Sequence, residues 1–333
     1  MAKRRIIPLF IPHAGCPCAC VFCNQKKITG MDTPVTPEEI AETIRDSLPW
    51  AGMGCELAFY GGSFTALPVS TQNALLEAAQ PFRARGEVAN IRVSTRPDAI
   101  DRETVQRLRD HGVTTVELGC QSMDDAVLRQ SERGHTAEDI CHASKLLTSE
   151  GMPQVLQMMT GLPGDNGSAS LETARQLAAL HPQGVRIYPT VVLRGTELEK
   201  MMCGGTYTPP SVEEAVDLCA SLYEIFLKAD IPVIRLGLNP TEELSGGEAV
   251  AGAYDPALGE RVLSRMYLRR ARALLEERRP GQTAVFSVDP RRVSVMVGQR
   301  RENILALERE FGLRDIKVRP DGASLWEISL KIR

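Results

Sequence analysis

Four of the nine cysteines, Cys16, Cys18, Cys20 and Cys23, fall within eight residues, whereas Cys55, Cys120, Cys141, Cys203 and Cys219 stand singly. A disulfide framework would spread and pair its thiols, and it needs an oxidising compartment for which Met1-Ala2-Lys3-Arg4-Arg5 carries no export signal. The tight group therefore reads as a metal site. Cys16, Cys20 and Cys23 follow the spacing C-x3-C-x2-C, and three thiolates on one short loop can hold three irons of a 4Fe-4S cube while the fourth stays open to a ligand. Adding Cys18 gives four thiolates that can close around zinc instead, so the loop alone leaves both metals open.

Such a loop needs a frame. From Ile6 to about Pro189, short apolar runs of β type alternate with helix-type segments: Ile6 to Ile11, Glu56 to Tyr60, Ile91 to Ser94, Thr115 to Leu118, Val155 to Met159 and Val185 to Tyr188. Runs of this kind suit strands covered on both faces. Thr36-Pro37-Glu38-Glu39, Thr136 before Ala137-Glu138-Asp139, and Ser211 before Val212-Glu213-Glu214 mark helix starts, each with a capping hydroxyl and a carboxylate three residues on. Alternation predicts parallel strands joined by right-handed crossovers, in an open doubly wound sheet or a β/α barrel. Polar or glycine-rich clusters follow each strand: the cysteines, Gly61-Gly62-Ser63, Thr95-Arg96-Pro97-Asp98, Gly119 to Ser122 and Thr160 to Gly164. Parallel α/β folds place their sites at those carboxyl ends, so the clusters are expected to share one mouth.

With Phe22 directly before Cys23, the three-cysteine loop resembles that of the radical S-adenosylmethionine (SAM) superfamily. The further motifs Ile11-Pro12-His13-Ala14-Gly15-Cys16, Phe22-Cys23-Asn24-Gln25, Gly61-Gly62-Ser63-Phe64-Thr65, Ser94-Thr95-Arg96-Pro97-Asp98 and Arg186-Ile187-Tyr188-Pro189-Thr190 look like the radical SAM domain of the Elongator catalytic subunit and its shorter bacterial relatives. The similarity continues through Val191 to Thr196 and covers about residues 6 to 240.

This resemblance implies a partial (β/α)6 TIM-like barrel over 1–240, with a helical extension from about residue 190. It implies a 4Fe-4S cluster on Cys16, Cys20 and Cys23, whose open iron chelates SAM, and an external electron donor of ferredoxin or flavodoxin type. An electron from such a cluster cleaves SAM to a 5′-deoxyadenosyl radical. The turn Tyr60-Gly61-Gly62-Ser63 is implied to meet the SAM amino group. Gln121 and Arg133 match positions where related coproporphyrinogen oxidases hold the SAM ribose and carboxylate, a task suited to arginine's planar donor fork. Ser94 and Gln157 stand where those relatives use Glu and Asp. Arg96, Arg186, Tyr188, Arg194 and Arg235 are candidates to face the substrate. His13 and His135 sit inside motifs without an evident metal partner, and Cys219, Met158 and Met159 read as core.

The transfer has limits. Only fifteen residues precede Cys16, and no acetyltransferase segment is expected beyond residue 240, so acetyl-CoA-dependent modification of a wobble uridine is not carried over. Tetrapyrrole chemistry is a second reading, weakened by Asn24-Gln25 where many such relatives carry a further Cys. A non-catalytic iron-sulfur or zinc protein that binds RNA or haem is a third.

The totals conceal one more division. The 333 residues are 43% hydrophobic and 24% charged with a net charge of −3, which excludes disordered and fibrous classes. No apolar run approaches the ~20 residues of a membrane span, so a cytoplasmic protein without membrane contact is expected. Residues 261–333 carry 17 Lys plus Arg against 9 Asp plus Glu, a net of +8, leaving 22 against 33, or −11, for residues 1–260. A helical connector over 241–279 is expected to lead into a basic α+β module over 280–333. There Val293 to Val297 reads as a strand before Gly298-Gln299-Arg300-Arg301 and a helix, a weak likeness to the GXXG loop of KH modules that clamp a nucleic-acid backbone. The basic helix from Arg261 to Arg279 serves equally as an RNA surface or as a docking face for the acidic body.

Overall fold

A computed structural model describes residues 5–11, 16, 18–24, 35–242, 244–276, 280–322 and 324–332. His13 and Gln25 lie outside the described residues. The first half alternates as expected: β1 (Ile6–Phe10), α1 (Pro37–Ala51), β2 (Cys55–Tyr60), α2 (Val69–Ala84), β3 (Val88–Thr95), α3 (Arg102–Asp110), β4 (Val113–Gln121), α4 (Asp125–Gln130), α5 (Ala137–Ser149), β5 (Gln154–Thr160), α6 (Gly167–Ala179) and β6 (Gly184–Pro189). Then come β7 (Val191–Leu193), α7 (Glu197–Cys203), α8 (Val212–Lys228), β8 (Val233–Leu236), β9 (Ala249–Gly252) and α9 (Leu258–Leu275). The tail holds β10 (Thr283–Ser287), α10 (Val293–Val297), α11 (Glu302–Phe311), β11 (Asp315–Arg319) and β12 (Ser329–Ile332).

Seven strands pair in the order β1-β2-β3-β4-β5-β6-β8, all parallel, as a curled half-barrel of the partial TIM type. A seventh strand, Val233–Leu236, joins the six expected ones as the edge of the sheet. Helix starts follow the expected chemistry. Thr36 with Glu39, Thr136 with Asp139 and Ser211 with Glu214 each form reciprocal capping boxes. Along β3, Ile91, Val93 and Thr95 are buried under the helices while Arg92 and Ser94 turn to the half-exposed concave face. The main core includes Leu57, Phe59, Phe64, Leu118, Leu156, Cys219 and Phe226.

Two expectations are corrected beyond β6. The segment read as mostly helical also contains the antiparallel pair β7–β9. Val293 to Val297 is helix α10, not a strand. Its V-x-V-x-V alternation is outweighed by Asp289, whose carboxylate caps Arg291 N ahead of a Pro290–Arg292 helical turn, and by Gly298 (φ 76), which ends the helix. Strand β10 pairs on both edges, parallel to β11 and antiparallel to β12. The tail thus has its own cluster of Ala284, Phe286, Met296, Ile304, Leu307 and Ile316.

The basic helix has a definite partner. On α9, Arg261 and Arg265 pair with Glu213, Arg265 and Arg269 with Asp217, and Arg270 with Glu224, all carboxylates of α8. Arg272 pairs with Glu310 of α11. Docking on the acidic body therefore accounts for most of the charge of this helix.

Candidate active site

The cysteine loop leaves β1 at the sheet's C-terminal edge, where Ile11 N still donates to Tyr60 O at 2.8 Å. Val21 stitches the loop at both ends: its N donates to Ser131 O, and its O accepts from Leu198 N. Cys23 N donates to Cys20 O at 2.9 Å, a tight turn that carries Phe22. Phe22 packs beside Val21, Val192, Leu198 and Tyr207, so β7 and α7 support the loop from outside the barrel. Asn24 Nδ2 donates to the Arg194 carbonyl at 3.1 Å.

Beneath this loop the ends of β4 and β5 converge. Arg133, 8% exposed, donates from Nη1 to Cys20 Sγ at 3.6 Å and from Nη2 to Gly119 O at 2.8 Å. Its Nε is buried without a partner. Gln121 lies in the left-handed region (φ 68) and is 4% exposed. A non-glycine residue there costs about 1 kcal/mol or more, and such strain concentrates at functional positions. Its Oε1 accepts from Gln157 Nε2 at 3.4 Å. His135 Nε2 donates to Cys120 O at 3.1 Å, leaving Nδ1 buried and unpartnered. Burial, then the Arg133 charge, pushes His135 down to about 4, so the ring is neutral near pH 7.

The turn after β2 places Gly61 (φ 76) and Gly62 (φ 54) in conformations that suit glycine. It is tied to β3 by three buried hydroxyls, with Thr95 Oγ1 lying 2.8 Å from Ser63 Oγ and 2.6 Å from Thr65 Oγ1. Ser63 Oγ also accepts from Arg96 N.

On the concave face the register sets Ser94 opposite Glu117, and Gln157 between Gly119 and Arg186. Arg235 pairs with Arg186 on the next strand. A charged lattice spans the floor. Glu117 Oε1 accepts from Arg92 Nη1 at 2.7 Å and Arg186 Nη2 at 2.8 Å, while Arg92 also holds Glu56. Arg186 donates further to the Tyr60 hydroxyl at 2.9 Å and approaches the Tyr188 hydroxyl at 3.4 Å. Burial works most strongly against the Arg186 charge, but Glu117 together with the Tyr188 and Tyr60 hydroxyls outweighs it and raises its pKa. Burial and the Glu117 charge push the Tyr60 phenol up to about 12.

The sequence candidates thus form two neighbouring groups. Cys20, Gln121, Arg133 and Gln157 meet at the rim, and Tyr60, Arg186 and Tyr188 meet on the floor. Ser94 and Arg235 share that concave face, as does half-exposed Met159, whereas Met158 is core. Arg194 is exposed at the edge and donates to Gly247 O. Arg96 does not face the mouth: it is 2% exposed, folded under the loop. Sequence reading missed Glu56, Arg92 and Glu117, although Glu56-x-x-x-Tyr60, Arg92-x-Ser94 and Arg186-x-Tyr188 set polar residues at even spacing in apolar strands. It also missed a cavity of about 530 Å³ between Thr160–Gly167 and Thr206–Pro210. There Tyr207 Oη donates to Gly161 O, and the Asp165 carboxylate accepts from Gly161 N and Ser170 Oγ.

The family model of the radical SAM superfamily matches residues 10–177. The chain belongs to the radical SAM superfamily. A radical SAM C-terminal domain model matches residues 182–268. A tRNA uridine(34) acetyltransferase of Dehalococcoides mccartyi is 30% identical over 230 residues, 58% of this chain and 50% of that protein. Human Elongator complex protein 3 is 29% identical over 187 residues, 50% of this chain and 34% of that protein. The chain therefore spans half or less of the length of these two relatives. Among solved structures, the archaeal Methanocaldococcus infernus Elp3 with an N-terminal deletion superposes with a TM-score of 0.63 at 22% identity, covering 80% of this chain and 63% of that one.

Radical SAM enzymes as a group use SAM and a 4Fe-4S cluster. Among the described residues no three His, Cys, Asp or Glu side chains converge on a common metal position. The donor set nevertheless fits such a group. The loop supplies the thiols, and the buried unpartnered Arg133 Nε and Arg96 Nη1 lie on guanidinium groups beside it. Cationic donors left unsatisfied in a buried pocket suit an anionic occupant. No helix among the described residues is long and apolar enough to cross a membrane.

Proposed function

We propose that Cys16, Cys20 and Cys23 hold a 4Fe-4S cluster, and that this radical SAM enzyme acts in the cytoplasm on a base of an RNA, with tRNA the favoured class. The observation that carries the site is the meeting of Cys20, Arg133, strained Gln121 and Gln157 at the carboxyl ends of β4 and β5. When bound, the cluster would pass one electron, taken from a ferredoxin- or flavodoxin-type donor, to SAM, whose C5′–S bond would break to methionine and a 5′-deoxyadenosyl radical able to take a hydrogen atom from substrate.

The chain's own residues bind and orient. Arg133 turns its unpartnered Nε–H to the SAM carboxylate, a charge-assisted contact in a site shielded from water. Gln121 and Gln157 hold the ribose through their amides, and Ser94 faces the same space. The backbone of Tyr60-Gly61-Gly62-Ser63 meets the amino group, and Phe22 anchors the loop. On the floor, Arg186, Tyr188 and Arg235 receive the substrate, with Arg194 at its edge. The RNA reading follows from the names of the relatives and from exposed cations of the tail, such as Arg300 and Arg301, that have no ion pair among the described residues.

Anaerobic reconstitution with iron and sulfide, followed by reduction with SAM present, tests the reading. A brown protein that yields 5′-deoxyadenosine supports it. A colourless zinc protein removes the cluster assignment, and a loaded cluster without 5′-deoxyadenosine removes the radical reaction. Stimulation of cleavage by a porphyrinogen and not by tRNA would move the substrate to tetrapyrroles.

A further inference from the structure

Arg96 is among the most deeply buried large side chains of the chain, at 2% exposure. Its Nε and Nη2 grip Asp98 at 2.9 Å each, an in-plane fork, while Nη1 is buried with no partner. A buried arginine needs close compensation, and an orphaned nitrogen beside a satisfied fork marks a side chain held for another purpose. The same guanidinium lies beside the cysteine loop. The point that a Cβ on Gly134 would occupy is 2.3 Å from Cys18 Sγ and 3.3 Å from Arg96 Nη2, so thiol and guanidinium flank the same glycine. Arg133 on the adjoining position contacts Cys20 Sγ. Two fixed cations thus lie beneath the loop, one steered by Asp98 and one by the Gly119 carbonyl.

We propose that Arg96, aimed by Asp98, is a positioning residue for the cysteine loop that raises the potential at which its cluster accepts an electron. The inference rests on the cluster assignment given above. A cluster becomes one charge more negative on reduction, and a buried cation beside its ligand loop favours that state more than water would. Asp98, partly open to solvent, moderates the same field with the opposite sign. Burial keeps Arg96 off the substrate face, so the role does not depend on what the enzyme acts on.

The test is an EPR-monitored redox titration of the reconstituted full chain without substrate, alongside iron and sulfide content. Arg96→Leu is expected to shift the reduction equilibrium about tenfold toward the oxidised cluster, about 59 mV lower for a one-electron couple. Arg96→Lys should restore most of that shift, and Asp98→Asn should move the potential upward. A merely structural role changes cluster content without opposite shifts from the two partners. An unchanged potential in loaded Arg96→Leu overturns the proposal. If Arg96→Leu does not fold, a downward or absent shift in Asp98→Asn overturns it. A wild-type chain that takes up no iron sinks the cluster assignment and this inference together, whereas a loaded wild type with indifferent variants sinks the inference alone.

Discussion

At the scale of single residues, the loop's surroundings make two sharp demands. Gly134 is left-handed (φ 76), and a methyl there would lie 2.3 Å from Cys18 Sγ. Gly134→Ala combines backbone strain with a clash against the loop, so a loss of about 2 kcal/mol is expected in urea melts. Its iron content after reconstitution should fall as well, because the loop must shift to make room. His135 sets the second demand through protonation. Its folded pKa is about 4 against an ordinary 6.5, so the unfolded chain binds more protons between these values. The neutral ring's contribution is complete above pH 6.5 and declines as pH falls toward 4, by roughly 1.4 kcal/mol per pH unit at most. Melts of the wild type between pH 7 and 5 should show this slope. His135→Gln should flatten it, and an equal slope in that variant would assign the acid sensitivity to other groups. Arg133, Arg96 and Asp98 face the ring, and the two guanidiniums strengthen the depression that burial begins.

At the scale of elements, α8 and α9 show how the chain uses its uneven charge. Asp217 accepts from Arg265 and Arg269, which hold its carboxyl low even though burial pushes the other way. These pairs are partly exposed and worth little singly, so Asp217→Ala is expected to cost about 1 kcal/mol, less in 1 M salt. A thermal melt at low and high salt checks this, since a salt-independent loss would point to packing instead. The same elements explain what was legible beforehand. Thr36, Thr136 and Ser211 announced their helices because a cap is local chemistry, readable from four residues. Six of the seven parallel strands were visible as apolar runs, and the mouth as the polar clusters that follow them. The Glu56–Arg92–Glu117–Arg186 lattice was hidden because its members lie on four different strands, and only sheet register brings them together. Val293 to Val297 misled because strand alternation and a short buried helix are alike over five residues, and the deciding signal was the Asp289-Pro290 start. Arg96 was misplaced for a related reason: its motif gave its position after β3 but not the direction of its side chain.

At the scale of the whole molecule, the basic tail is less free than its net charge of +8 suggests. Arg261, Arg265, Arg269, Arg270 and Arg272 are neutralised by α8 and α11, and Arg291 by Asp289. Exposed Arg300, Arg301, Arg309, Arg319 and Lys331 have no ion pair among the described residues. Arg300 (φ 50) and Arg301 (φ 64) stand in the Gly298–Arg301 connection between α10 and α11. If RNA is the partner, its phosphates are expected to meet these unpaired cations ahead of the arginines that carboxylates already neutralise. Arg300→Glu with Arg301→Glu is therefore expected to weaken tRNA binding about tenfold or more, and to reduce the slope of log affinity against log salt by about 0.7 per arginine. Reversal of Arg265, by contrast, should act on stability with little change in that slope. Fluorescence anisotropy of labelled tRNA across a salt series separates the two, and equal affinity of the double variant and the wild type would leave the tail as a cap on the barrel. Because both arginines are exposed and far in sequence from the cysteine loop, iron content and RNA-independent SAM cleavage should be unchanged in the double variant.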